Sequence, residues 1–269
     1  MQAGYAGEVG RVNGSGARVF VLMLAVLAPS CGGGSRPDGP TQPTQPAPAF
    51  ETHTSANFIF RYTPIDAATV AQTAARVEAE RARILQDLGV PSMSRVTVTL
   101  YPDQASLRAG VAPIVGTIPS FATGLVTGPY DVHIVSPSAQ PGSYDVSVVN
   151  IVHEFAHGVT LVANPSFANN PRWLWEAVAL YEAGQVVDPR GLAYMTSLQP
   201  PALAEMNSFS DLRIYDVGAL IGAFIVDTWG REALPRLVGT NGNVAAVLGV
   251  DEATFVSRWM AYTRSRYGF

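Results

Sequence analysis

The chain has 269 residues, 48% of them hydrophobic, enough apolar material for one sizeable core or two closely packed lobes. Charged residues make up 14%, the net charge is −4, and no run of Lys or Arg occurs, so no nucleic-acid partner is expected. The single cysteine, Cys31, excludes an internal disulfide and leaves a metal site in the folded domain to His and carboxylates.

Residues 1–31 read as an address. Arg11 and Arg18 precede the apolar run VFVLMLAVLA at 19–28, which leads into Ala28-Pro29-Ser30-Cys31. That run is too short for a bilayer span, which needs about 20 residues, but it suits the core of a secretory signal. The closing Cys resembles a bacterial lipoprotein cleavage site, where the thiol is lipidated and becomes the new N-terminus. Ala28 departs from that pattern, which usually carries Leu there. The expectation is an exported protein of the cell envelope, with Cys31 as the candidate point of membrane attachment. Residues 32–49 (GGGSRPDGPTQPTQPAPA) are half Gly and Pro and read as an extended, solvated tether.

The folded domain is expected over 50–269. Residues 57–62 (NFIFRY) have the content of a strand. Asp66 is placed to cap a long helix running to about Leu88, ended by Gly89 and Pro91. Residues 95–101 (RVTVTLY) alternate as a half-buried strand. A stretch punctuated by Gly and Pro follows, with short strands expected at 120–126 and 130–135, and from Asp145 onward the pattern is helical almost throughout. Strands first and helices afterwards predict an α+β fold: a small mixed sheet and a long helix in the N-terminal half, and a mostly helical C-terminal half.

The chemistry concentrates at His153-Glu154-Phe155-Ala156-His157, an H-E-x-x-H motif. Two His four residues apart lie on one helix face, so both imidazoles can reach one ion. Zinc accepts such nitrogens together with a carboxylate and keeps a fourth position open. Glu154, not needed as a ligand, is placed to take a proton from the attacking water. Val148, Val152, Phe155, Ala156 and Val159 form an apolar stripe that buries this helix.

Downstream, Asn169-Asn170-Pro171 reads as a capping Asn and a Pro at the first helical position, opening a helix through RWLWEAVALYE. Glu176 lies inside that aromatic, apolar run. A buried carboxylate needs a partner: a metal cation shared with the two His, or a salt bridge to Arg172 or another Arg.

HEFAH, eighteen further residues, and Glu176 within W-L-x-E-x-x-A-x-Y resemble the gluzincin clan of zinc peptidases, which includes thermolysin-like and aminopeptidase-N-like enzymes. The resemblance is nearest to compact bacterial "peptidase MA-like" domains, covers roughly 55–265, and has specific motifs only at 153–157 and 173–181. It implies a cleft between the two halves, one zinc per chain held by His153, His157 and Glu176, Glu154 as general base, and a peptide or protein substrate. It also implies that 124–136 contains a sheet edge on which an extended peptide pairs. Two positions depart: Trp175 stands where aminopeptidase-N-like enzymes have Asn, and Leu180 where thermolysin-like enzymes have an Asp that orients a ligand His. The orienting group is thus open, with Glu182 a candidate.

Relatives in the clan stabilise the oxyanion with a Tyr or His from a later helix. Tyr215 is the candidate here, with a packing tyrosine as the alternative, and His133 is a second candidate. Gly218 and Gly222, four apart on the helix that Tyr215 begins, suit close packing against the helices of the site. Phe255, Trp259 and Tyr262 are spaced to pack a last helix on the core. Two further readings stand beside a zinc metallopeptidase: a catalytically silent binding lipoprotein of the same fold, and a zinc hydrolase of a non-peptide substrate.

Overall fold

The computed structural model describes residues 49–269 except 121, 140 and 141. The expected signal segment, Cys31 and nearly all of the tether lie outside the described residues. The fold is α+β, with a five-stranded sheet in the N-terminal half and a mostly helical C-terminal half.

The sheet is formed by β1 (Glu51–Thr54), β2 (Phe58–Tyr62), β3 (Val96–Tyr101), β4 (Gly124–Gly128) and β5 (Asp131–Val135). Its order is β1-β2-β3-β5-β4. The three central strands run parallel, while β1 and β4 pair antiparallel at the two edges. Alternation along the strands sends Phe58, Phe60, Val96, Val98, Val132 and Ile134 to one face, where they pack with α1 (Val70–Asp87) and α3 (Tyr144–Ala163). The opposite face buries Tyr101 and Leu125 against Leu107 and Val111 of α2 (Gln104–Val115).

Two elements were not expected. β1 is largely exposed and polar, so it shows no hydrophobic alternation, and its position comes from backbone pairing with β2. α2 contains Gly110 and Pro113, which read in sequence as loop signals. Asp103 caps it, accepting from the Ser106 N–H at 2.7 Å, and Gly110 is used for close approach. A Cβ there would stand 2.4 Å from the Tyr101 ring.

Two expected caps are corrected. α1 begins at Val70, after a 3-10 turn over Pro64–Asp66, and Asp66 does not cap it. Asp66 is buried and instead accepts a 2.5 Å hydrogen bond from the Ser136 hydroxyl. The helix α4 (Arg172–Glu182) has Pro171 itself at the cap position, following a cis peptide bond from Asn170. A first-turn donor is met from elsewhere: the Trp173 N–H donates to Asn207 Oδ1 at 3.2 Å.

The remaining helices are α5 (Ala193–Thr196), α6 (Arg213–Trp229), α7 (Ala233–Gly239), α8 (Val244–Leu248) and α9 (Glu252–Tyr267). Phe255 and Trp259 of α9 are fully buried, as their spacing predicts. α6 lies along α4, and its two glycines make this contact possible. A Cβ at Gly218 would stand 2.5 Å from Leu180, and one at Gly222 would stand 2.4 Å from the Tyr181 Cβ. α3 is long and apolar enough to cross a membrane, yet 67% of its most apolar stretch is buried inside the fold.

Candidate metal centre

α3 and α4 bring together the residues that the motif spacing singles out. His153 and His157 lie one turn apart on α3, and their Nε2 atoms are 3.0 Å from each other. Glu176, from the middle of α4, places Oε2 at 3.4 Å from His153 Nε2 and 3.7 Å from His157 Nε2. All three side chains are buried. Among the described residues, this is one group of His, Cys, Asp and Glu able to hold a metal ion, with ligand atoms within 4.8 Å of one another.

These separations test whether an ion fits. A four-coordinate site with bonds of about 2.0–2.1 Å requires donors roughly 3.3 Å apart. The three observed distances bracket that figure, and the three atoms form one face of such a site with the fourth corner open. Among the described residues, Glu176 Oε2 is buried with no hydrogen-bond partner, the two imidazole nitrogens being its polar neighbours. Two imidazole nitrogens and a carboxylate oxygen converging on one point are donors that a divalent metal takes together, so the set fits such an ion.

Electrostatics favours the ligand forms. Burial pushes the His157 imidazole down to about 4, so the ring is neutral near pH 7. Burial acts to raise the Glu176 carboxyl, but the adjacent His153 and His157 rings offset this and hold it at about 2. A neutral imidazole and an ionised carboxylate are the forms that bind metal.

Trp175 stands where the aminopeptidase-N-like enzymes that the sequence resembles carry Asn. It stacks on the His157 ring, with centroids 4.2 Å apart and planes 11° from parallel, so an aromatic face restrains this imidazole. The other orienting contact falls on a residue that sequence reasoning missed. His153 Nδ1 lies 2.7 Å from Gln185 Oε1, and Gln185 Nε2 donates to Asn150 Oδ1 at 2.7 Å. The available signals were Gly184, which ends α4, and Asn150, a polar residue in an apolar run three before His153.

Glu182, the earlier candidate for this role, is corrected. Its carboxylate pairs with Arg83 of α1 at 2.5 Å, because its place on α4 turns it away from α3 and toward α1. Arg172 does not pair with Glu176 either. It is buried and donates Nη1–H bonds to the carbonyls of Met206, Ser208 and Asp211.

Glu154 is buried, with no hydrogen bond to either carboxylate oxygen among the described residues. Burial, reinforced by the nearby Glu176 charge, raises its carboxyl well above the usual range. It lies against the edge strand β4, where a Cβ on Gly124 would come within 2.9 Å of Oε1. Tyr215, in the first turn of α6, donates its hydroxyl to Glu176 Oε1 at 3.2 Å. His133 is on the sheet face away from α3. Its Nδ1 is 3.1 Å from the Tyr101 hydroxyl and its Nε2 is 3.0 Å from Thr127 Oγ1, so it does not join the cluster. His53 lies on β1.

No protein-family model matches the chain, and no curated protein matches it.

Proposed function

We propose that the chain is a zinc-dependent metallopeptidase of the gluzincin type, with Zn2+ held by His153, His157 and Glu176. The observation that carries this reading is the three-donor face formed by those residues beside Glu154, a buried carboxylate with no hydrogen-bond partner among the described residues. Two imidazoles and one carboxylate are a donor set that zinc accepts while keeping an open position. When bound, the ion acts as a Lewis acid that polarises the scissile carbonyl and lowers the pKa of water.

The chain's own residues supply the remaining chemistry. Glu154 is the proposed base: its carboxylate accepts a proton from the attacking water and returns it to the departing amine, and burial strengthens its hold on that proton. Tyr215, whose hydroxyl already reaches Glu176, is the candidate donor to the oxyanion. β4 is the last strand of the sheet and lies against Glu154, so an extended peptide pairing along it through backbone hydrogen bonds would bring its carbonyl toward the site. The apolar segment and Cys31 support a location in the cell envelope, with lipid attachment if that thiol is modified.

The test combines metal content with digestion of a broad peptide library. The purified protein is expected to carry or take up about one Zn2+ per chain. His153→Ala and Glu176→Ala are expected to lose the metal. Glu154→Gln is expected to retain it while hydrolysis falls by about 10²–10⁴-fold. A wild type that takes up no zinc overturns the metal centre. A wild type that binds zinc but cleaves no peptide favours the silent binding protein or the non-peptide hydrolase.

A further inference from the structure

We infer that Gln185 is a positioning residue for the metal centre: held by Asn150, it fixes the tautomer and ring orientation of His153 and ties the helix carrying Glu176 to that ring. The inference rests on the metal-binding reading of His153, His157 and Glu176.

The end of α4 places this residue. Gly184 adopts φ +66°, the left-handed conformation that glycine takes without penalty. The Gly184 N–H bonds back to Tyr181 O at 3.0 Å, and the Gln185 N–H bonds to Leu180 O at 2.9 Å. This paired capping pattern satisfies the last carbonyls of the helix and reverses the chain. Gln185 is thereby anchored to the helix that carries Glu176, while its side chain reaches across to α3.

On α3 it meets two residues three apart, His153 and Asn150, on the same side of the helix. The Gln185 amide nitrogen is committed to Asn150 Oδ1, so its oxygen faces His153 Nδ1. An oxygen acceptor at 2.7 Å requires the hydrogen on Nδ1. The lone pair is then on Nε2, the atom that lies 3.0 Å from His157 Nε2 and 3.4 Å from Glu176 Oε2. Groups that bond the remote nitrogen of a ligand His set its tautomer and raise its basicity, and their loss costs about 10–100-fold in metal affinity.

The experiment measures Zn2+ affinity by chelator competition, the visible spectrum of the Co2+-substituted protein, and the melting temperature of the metal-free form. Gln185→Leu is expected to weaken Zn2+ by about 10–100-fold. It should also alter the Co2+ spectrum while leaving the metal-free melting temperature near that of the wild type. Gln185→Glu, which keeps an oxygen acceptor, is expected to hold Zn2+ within a few-fold of wild type. Gln185→Ser, too short to reach His153, reports the same loss if Gln185→Leu does not fold. Wild-type affinity in Gln185→Leu or Gln185→Ser overturns the inference alone. A loss in Gln185→Glu as large as that in Gln185→Leu also overturns it. A wild type that binds neither Zn2+ nor Co2+ overturns the metal centre itself.

Discussion

Glu154 and Glu176 are buried carboxylates 22 positions apart in the chain, and their surroundings drive them in opposite directions. Glu176 faces two imidazoles and a tyrosine hydroxyl and is held ionised, whereas Glu154 faces an edge strand with nothing to offset its burial. On the proposed reading, this separation suits Glu176 to hold a metal and Glu154 to carry a proton. His133 shows the same physics without a reactive neighbour. Burial lowers its pKa below the usual histidine value, while Tyr101 and Thr127 occupy both ring nitrogens. The unfolded chain therefore takes up the His133 proton at a higher pH than the folded one. As pH falls through the unfolded value of about 6.5, the native state loses stability. Urea unfolding of wild type and His133→Gln at pH 7.5 and 5.5 checks this: the variant is expected to lose less stability on acidification than the wild type.

At the scale of elements, α4 does the most to shape the site. It carries Glu176, stacks Trp175 on His157, and ends in the turn that sets Gln185 against His153. α6 holds α4 in place through Gly218 and Gly222, and the same approach brings Tyr215 to Glu176. Gly222→Ala would put a methyl group 2.4 Å from the Tyr181 Cβ and 3.2 Å from the Ala177 carbonyl oxygen, so the two helices must separate. Overpacking of this type costs about 1–3 kcal/mol. Chemical denaturation should show that loss, and Zn2+ affinity should fall with it because Glu176 moves with α4.

For the whole molecule, the candidate centre joins two helices that also meet by apolar packing and through the Gln185 contacts to Asn150 and His153. α3 rests on the sheet, α4 is held between α3 and α6, and the ligand atoms bridge the first pair. A ligand that binds the native chain and not the unfolded one stabilises it by mass action, by about 2.7 kcal/mol at a hundred times its dissociation constant. Chelator-treated protein is therefore expected to melt at a lower temperature than zinc-loaded protein. His153→Ala should abolish the difference. An equal melting temperature with and without Zn2+ in the wild type would show that the metal does not join the two helices.

The sequence by itself determined those features whose physical cause is local. Helical spacing put His153 and His157 on one face, the apolar run around Glu176 required a partner for its carboxylate, and the shift from strand to helix patterns defined the α+β class. Gly218 and Gly222 were legible for the same reason, since glycines one turn apart clear a strip on a single helix. Tertiary structure decided what depends on residues far apart in the chain. β1 and α2 were hidden because an edge strand needs no apolar alternation and a glycine can serve close packing as well as a loop. Glu182 turned to Arg83, and His133 fell on the far face of the sheet. Gln185 reached His153 only because Gly184 reverses the chain onto a neighbouring helix. Periodicity encodes which way a side chain points from its own element, and the packing of elements against one another determines what it meets there.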